Sequence, residues 1–183
     1  MTITTSITEA QIFQIIGTFL QQILDPSVAV VRGEVNRVPE PAGTDFVVMW
    51  PILTERLERN VDSYDTGAGT QSMMQPVKIT IQLDVHGPKS ADNSQIITTL
   101  WRDDYGTGSF TSICASIGSG IEVQPLYAED RKQMPFMDAE QQIEERWIVQ
   151  VVLQANPVVV VSQQFADVLS VTVISVDEKY PPV

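Results

Sequence analysis

Cysteine and histidine are almost absent from this sequence, which contains only Cys114 and His86. A single cysteine cannot form a disulfide within the chain, and the apolar neighbours Ile113 and Ala115 predict that its side chain is a small buried hydrophobe. One histidine and one cysteine cannot make a zinc site without several carboxylates, and no group of acids follows the spacing of a calcium loop. We therefore expect neither a metal nor a cofactor.

Basic residues are also scarce, with 11 Lys and Arg against 23 Asp and Glu and a formal net charge of -12. The average electric field repels phosphate, which argues against a conventional nucleic-acid binder. No run approaches the ~20 apolar residues needed to cross a bilayer, and the start of the chain lacks the basic segment of a secretory signal. These absences predict a soluble intracellular protein.

The composition that remains is typical of a folded domain. Hydrophobic residues make up 43% of the 183 positions and charged residues 19%, which excludes the disordered class. A chain of this length can bury a core without metals or disulfides, so we expect one domain over residues 1–183.

The first segment, "SITEAQIFQIIGTFLQQILDP", predicts an amphipathic helix. Ser6 and Glu9 have the spacing of a capping box, and Pro26 disfavours helical geometry at Asp25. Two Val-rich segments follow, 28–38 and 46–59, separated by "PEPAGTD", and we interpret them as the arms of a hairpin. Pro51 lies inside the second arm, which suits an edge or a bulge.

The middle of the chain contains a glycine-rich stretch and then a regular strand. Residues 64–76, in "YDTGAGTQSMMQ", show no periodicity and predict a mobile loop. In "VKITIQLDVHG" the apolar residues alternate with polar ones from Val77 to Val85, which predicts a strand with one dry and one wet face.

The second half combines helices and strands. Ile97 and Trp101 belong to an apolar stripe that predicts a helix ending before Gly106, followed by a further helical turn or two in "SFTSICASIG". Strands are predicted in "GIEVQPLY", "EERWIVQVVLQANP" and "ADVLSVTVISVDE". This order of elements predicts an α+β fold in which the N-terminal helix and one or two further helices pack on a mainly antiparallel sheet.

Catalytic chemistry has little support in the sequence. A small hydrolase could use His86, but a nucleophile such as Ser90 is too close along the chain to be oriented independently. Carboxylates such as Glu140, Glu144 and Glu145 could form an acid–base pair, although an acidic chain always offers such pairs. A hydrolase and a monomeric ligand-binding domain remain alternatives to a structural protein.

The connection between two of the predicted strands, "QPLYAEDRKQMPFMDAEQQIEERW", is much longer than the usual 4 to 6 residues. This segment and "RVPEPAGTDFVVMWPILTERLERN" resemble the neck or tail terminator family of contractile-tailed bacteriophages, and the ending "FADVLSVTVISVDEKYPP" fits the same family. The pattern of "PLY", an acidic pair, "RKQMPF", "EQQ" and "RW" carries the resemblance. It implies a structural role for the matching residues, which are Arg131, Gln133, Pro135, Phe136, Gln142, Arg146 and Trp147.

The resemblance implies a non-enzymatic α+β subunit that assembles as a homo-hexameric ring on the head-proximal end of the tail tube. Its partners would be the tail tube and sheath proteins and a head-connector or stopper protein, with DNA passing through the lumen without specific binding. The protein would be found in the virion neck and, during assembly, in the host cytoplasm. A head-completion or collar subunit is the nearest alternative.

We interpret residues 127–142 as an extended arm that contacts the adjacent subunit. In this hypothesis the apolar side chains pack on the neighbour and the two arginines pair with its acids, while the alternative is that these side chains close the subunit's own core. The predicted interface residues are Tyr127, Arg131, Gln133, Met134, Phe136, Met137, Gln142 and Arg146.

Overall fold

The computed structural model describes residues 3–33, 41, 43–137 and 143–165. The described residues form three helices, α1 (Glu9–Ile23), α2 (Ser90–Trp101) and α3 (Asp104–Ile117). They also form strands β1 (Ala29–Arg32), β2 (Phe46–Arg56), β3 (Val61–Asp65), β4 (Thr70–Met74), β5 (Val77–His86), β6 (Val123–Ala128), β7 (Lys132–Gln133), β8 (Phe136–Met137), β9 (Ile143–Glu144), β10 (Arg146–Ala155) and β11 (Val158–Ser162). None of the helices within these ranges is long and apolar enough to cross a membrane.

The main sheet has the order β1-β2-β5-β10-β6, and β7 also pairs with β10. All of its pairings are antiparallel except that of β1 with β2. The predicted alternation in β5 is confirmed, because its apolar residues from Val77 to Val85 are all buried. Helices α2 and α3 pack on the sheet and α1 packs on α3, so the predicted α+β fold is confirmed.

Three aromatic rings, one from each helix, occupy the centre of the core. Phe19, Trp101 and Phe110 have no exposed surface, and their ring centroids are 5.0 to 5.6 Å apart. Tilted and edge-to-face pairs of this kind add to the stabilisation from burial alone. The indole nitrogen of Trp101 donates to the Val152 carbonyl at 3.1 Å, which satisfies its polar group and fixes α2 on β10.

The N-cap of α1 is Thr8, two residues later than the predicted cap. The capping box is formed by Thr8 and Gln11, whose side chains each accept from the other's backbone amide, rather than by Ser6 and Glu9. Ser6 instead pairs with Val158 at the start of β11, donating from its backbone amide to the Val158 carbonyl and accepting from the Val158 amide at its Oγ. The prediction of a capping box was right in kind and wrong in position.

The predicted hairpin of residues 28–38 and 46–59 is wrong. Strand β1 runs parallel to β2, with Ala29 opposite Phe46 and Arg32 opposite Met49. Parallel neighbours require a long connection between them, and the stretch from Gly33 to Asp45 provides one in place of a tight turn. The predicted bulge is confirmed, because the register with β5 shifts between Pro51 and Leu53, beyond the part of β2 that β1 covers.

Residues 64–76 are not the irregular loop that the glycines predicted. Strands β3 and β4 form a hairpin, and β11 pairs with the other side of β4 to complete a second, three-stranded sheet. The turn is closed by Asp65, whose Oδ1 accepts from the amides of Gly67 and Ala68, and by Gly69 with a φ of 63°. The glycines therefore serve the turn alone, while mobility of this segment stays a prediction.

Helix α2 ends at Trp101, before Gly106 as predicted, but Gly106 and Gly108 lie inside α3, which is longer than the predicted helical turn or two. Asp103 caps this helix by accepting from the Tyr105 amide at 3.1 Å. A side chain at position 106 would overlap the Leu100 carbonyl oxygen at the end of α2. Glycine is thus required at 106 by the close approach of two helices rather than by a helix end.

Cys114 is buried on α3, as its neighbours predicted. Burial raises the pKa of its thiol, and its Sγ lies 3.6 Å from the Val123 carbonyl oxygen. The last predicted strand, in "ADVLSVTVISVDE", lies outside the described residues.

Candidate subunit interface

The first half of the predicted arm lies along the chain's own sheet. Beyond β6, the amide of Glu129 donates to Gln150 and the amide of Met134 donates to Arg146, both at 2.8 to 2.9 Å, and β7 pairs with Trp147 and Ile148. Residues 127–134 therefore follow one edge of β10 towards its N-terminal end. They are held by main-chain hydrogen bonds in an isolated subunit.

The second half of the arm leaves the main sheet. Strands β8 and β9 pair only with each other among the described residues, with Phe136 opposite Glu144 and Met137 opposite Ile143. This short hairpin precedes β10 and so projects from the end of the sheet where β10 begins. The predicted interface residue Gln142 lies outside the described residues.

The exposed apolar side chains at this end form what we call the hairpin surface, which consists of Met134, Met137 and Ile143. They are 52%, 63% and 74% exposed. Two were predicted and Ile143 was missed, although an isolated isoleucine in the polar stretch "AEQQIEER" is the signal that would have found it. Of the other predicted residues, Gln133 and Tyr127 are both exposed, Tyr127 to 37%.

Arg131 is engaged within its own chain. Its Nη1 donates to the Ala91 carbonyl at 2.6 Å and to Ser94 Oγ at 3.3 Å, at the start of α2. Its guanidinium also lies 5.0 Å from the centre of the Trp147 ring. Arg131 therefore fastens the arm to α2 and β10, while its pairing with acids of a neighbour stays a prediction.

Arg146 is likewise engaged in its own chain, although its buried Nε has no hydrogen-bond partner among the described residues. Its Nη2 lies 3.0 Å from Oδ2 of Asp84 on the adjacent strand β5, and the Asp84 side chain is only 7% exposed. Asp84 also accepts from the Gln82 amide group at 2.7 Å. The polar face of β5 thus carries a partly buried ion pair, where the sequence predicted a wet face and a rim contact.

A second exposed apolar set, which we call the distal surface, was not predicted. Its members share the far end of β2 and the strand that follows, and they are Ile52, Leu53, Leu57, Val61 and Tyr64. Because the start of β2 and the start of β10 both lie opposite His86, the end of β2 lies at the other end of the main sheet. The hairpin surface and the distal surface are therefore at opposite ends of the subunit.

The residues considered for catalysis or metal binding make contacts that stabilise the fold. His86 stacks on Phe46, with ring centroids 4.5 Å apart, and is half-buried rather than a solvated strand end. Asp103 is the cap of α3, and the part of the chain that the structure describes contains no group of three His, Cys, Asp or Glu side chains that could bind a metal. A groove of 720 Å³ lies beside Gly87, the residue that follows His86. The groove is lined by Phe46, Pro88 and Ile143, so it adjoins the hairpin surface.

Comparison with solved structures finds a sheath/tube terminator of an extracellular contractile injection system, PVC, in its extended state. The identity is 10% and the TM-score 0.47, and the match covers 94% of this chain. This chain spans 65% of the length of that protein. Among curated proteins, no significant match is found.

A family model described as phage neck terminator protein matches residues 10–179. The match includes both segments that carried the resemblance, together with α1, both sheets and the hairpin surface. The recognition made from the sequence is confirmed: this chain belongs to the phage neck terminator family, a family of phage structural proteins.

Proposed function

We propose that this protein ends the growth of a phage tail tube by assembling head to tail into a closed ring, which a head-connector protein then binds. The observation that carries the proposal is the position of two exposed apolar surfaces at opposite ends of the main sheet. A ring requires a heterologous interface, in which one face of each subunit fits a different face of the next. A subunit with one adhesive face would form a dimer instead.

The hairpin surface suits the inserting side of such a contact. Its side chains are two methionines and an isoleucine, and methionine adapts readily to an irregular partner surface. The hairpin forms no strand pairing with the main sheet among the described residues, while Arg131 and the β7 pairing fix its base. An anchored base limits the conformational entropy that is lost on binding.

The distal surface suits the receiving side. Ile52 and Leu53 lie where β2 has passed the end of β1, so this part of β2 has an uncovered edge within the described residues. Leu57 continues the apolar set towards β3. Ile52, Leu53 and Leu57 fall within six residues of the chain, and such a run of exposed apolar side chains is more typical of a contact surface than of an ordinary monomer surface.

The charge of the subunit supports passage of DNA through the ring. Each copy carries a formal net charge of -12, and an acidic lumen would not retain phosphates through cationic contacts. The partners we propose are other copies of this chain, the tail tube and sheath proteins, and a head-connector or stopper protein. The ring would contain six copies and would be found in the virion neck after assembly in the host cytoplasm.

Paired surface variants test the head-to-tail arrangement. A Met137→Asp, Ile143→Asp variant removes the hairpin surface, and a Leu53→Asp, Val61→Asp variant removes the distal surface. We expect each variant to be monomeric by light scattering under conditions where the native chain forms rings. The control is Tyr105 on α3, an exposed aromatic residue that belongs to neither surface. Tyr105→Ser should leave ring formation unchanged.

Mixing the two variants gives the sharper result. In a head-to-tail ring, each mixed pair retains one intact contact, so the mixture should form heterodimers and no rings. If the mixture stays monomeric, or if either variant still forms rings, the two surfaces do not contact each other. Phe136→Ala is expected to weaken assembly as well, while leaving the free energy of monomer unfolding unchanged.

The position in the particle requires a separate measurement. Electron microscopy of virions with the protein labelled should place it at the junction of tail and head. A label distributed along the tail, or absent from virions, would contradict the proposed function even if rings form in solution.

A further inference from the structure

The groove beside the hairpin surface contains two carboxylates that have no positive partner. Its lining includes Glu144, which is half-buried, and Glu145, which is exposed. Neither carboxylate forms an ion pair with a described residue. Withdrawing a carboxylate from water without a cation beside it costs free energy, so the groove favours a positively charged ligand.

The arginines nearest to these carboxylates along the chain are engaged elsewhere. Arg146 follows Glu145 directly, but its Nη2 lies 3.0 Å from Oδ2 of Asp84. Arg131 is bonded to the start of α2. The described lining of the groove contains neither lysine nor arginine. Within the described ranges, the subunit therefore supplies no cation to its own groove.

The shape and the walls of the groove suit an arginine side chain. Its volume of 720 Å³ is ample for one side chain, and Phe46, Pro88 and Ile143 give it apolar walls. The stem of an arginine packs on apolar surface while its charged head stays polar. The planar guanidinium also matches the geometry of carboxylates better than the ammonium of a lysine does.

The distal surface carries an arginine that is available for such a contact. Arg59 lies between Leu57 and Val61 along the chain, and all three are exposed. It forms no ion pair with a described residue. Arg56, at the same end of the subunit, instead donates from Nε to the Gln75 side-chain oxygen at 2.7 Å when that amide is turned towards it.

We infer that Arg59 of one copy of this chain enters the groove of the next copy and pairs there with Glu144 and Glu145. The inference rests on the proposed head-to-tail ring and adds the contact that fixes its register. Apolar side chains pack in many relative positions, whereas complementary charges select one partner and one orientation. Two grooves facing each other would bring four carboxylates together without a cation, which disfavours a symmetric dimer.

The charge of Arg59 itself carries this attraction. Glu58 and Asp62 are also exposed, so the distal surface as a whole is not basic. Reversing the charge of Arg59 should therefore turn the contact with the groove into a repulsion.

Charge reversal and charge exchange test the inference. Arg59→Glu and Glu144→Arg each bring like charges together, and each should raise the concentration at which half of the chains form rings by at least about tenfold. The double variant Arg59→Glu, Glu144→Arg restores opposite charges and should assemble within about threefold of the native concentration. Analytical ultracentrifugation measures assembly, and circular dichroism measures folding of each variant. If Glu144→Arg does not fold, Glu145→Arg reverses the second carboxylate and takes its place in the exchange.

Arg102→Glu is the matched control, because it reverses another exposed arginine, at the end of α2, and changes the net charge by the same amount. It should form rings as the native chain does. If Arg59→Glu assembles as well as Arg102→Glu, or if the double variant assembles no better than the single ones, Arg59 does not enter the groove, although the ring itself still stands. If neither the native chain nor Arg102→Glu forms rings, the proposed function fails and this inference fails with it.

Discussion

Arg146 and Asp84 are joined by an ion pair across neighbouring strands, with Nη2 and Oδ2 3.0 Å apart. Asp84 is almost fully buried, so most of its interaction with water has been replaced by this arginine and by Gln82. The arginine of the "RW" motif, which contributed to the family resemblance, therefore has a structural role within its own chain.

Removing Arg146 is expected to destabilise the monomer. Arg146→Ala leaves the Asp84 carboxylate buried without its charged partner, which should lower the free energy of unfolding by about 3 kcal/mol. The double change Arg146→Met, Asp84→Leu should recover much of this loss, because an apolar pair avoids the uncompensated charge. Chemical denaturation measures both values. Equal stability of Arg146→Ala and the native chain would mean that water, rather than Arg146, balances the charge of Asp84.

A matched surface pair provides the control for this experiment. Lys78 and Glu55 lie 2.7 Å apart on adjacent strands, and hydrogen bonding to Glu55 raises the pKa of the lysine. Both side chains are considerably more exposed than that of Asp84, so Lys78→Ala should change stability little.

Arg131→Ala is expected to loosen the arm. The variant loses the hydrogen bonds to Ala91 and Ser94 and the contact with Trp147, which together should cost about 1–2 kcal/mol. Hydrogen exchange should rise first in residues 129–134 and in the hairpin, with the helical core unchanged. Arg131→Lys, which keeps the charge but cannot reproduce the planar contacts, should give an intermediate result. A uniform rise over the whole chain would contradict a local anchoring role.

Replacement of Gly106 by alanine and replacement of Gly108 by alanine should change the stability of the protein in opposite directions. Gly106→Ala places a methyl group against the backbone of Leu100 and should destabilise the protein. Gly108→Ala meets no atom within 4 Å and should stabilise the helix by about 0.5–1 kcal/mol. Thermal unfolding of the two variants checks this. If both raise the melting temperature, α2 and α3 are less closely packed than described.

The buried thiol of Cys114 predicts slow chemical modification. Because burial raises the pKa of this group, little thiolate is present near neutral pH, and alkylation should be much slower than in the unfolded chain. The pKa is higher in the folded than in the unfolded state, so this group's contribution to stability is complete below about pH 8.5 and declines at higher pH. Alkylation followed by mass spectrometry, with and without denaturant, measures the first effect. Equal rates in both conditions would show that Cys114 is accessible in the folded protein.

The elements that could be predicted from the sequence are those whose apolar residues recur at a regular spacing because one face is buried. Strand β5 alternates because helices cover one of its faces, and α1 keeps an apolar stripe towards the same core. Strand β10 was predicted from its apolar content, although residues on both of its faces are buried. The glycine-rich hairpin was missed because β3 is exposed throughout and β4 is uniformly half-buried, so neither strand has a dry and a wet face.

Pairings between distant residues were beyond the reach of the sequence. Nothing local to β1 shows that it runs parallel to β2, because that choice depends on the connection from Gly33 to Asp45. The exposed methionines of the arm could be predicted from its unusual length and composition. The in-chain partners of Arg131 and Arg146 could not, because Ala91 and Asp84 are each distant along the chain.

The reciprocal bonds between Ser6 and Val158 join positions 152 residues apart. During synthesis, the ribosome must extend the chain beyond Val158 before this contact can form, although α1 emerges first. The second sheet must therefore be completed after β11 has emerged, since β11 is one of its strands. Until then the nascent chain carries exposed strand edges, and the timing of this closure sets how long it is vulnerable to aggregation.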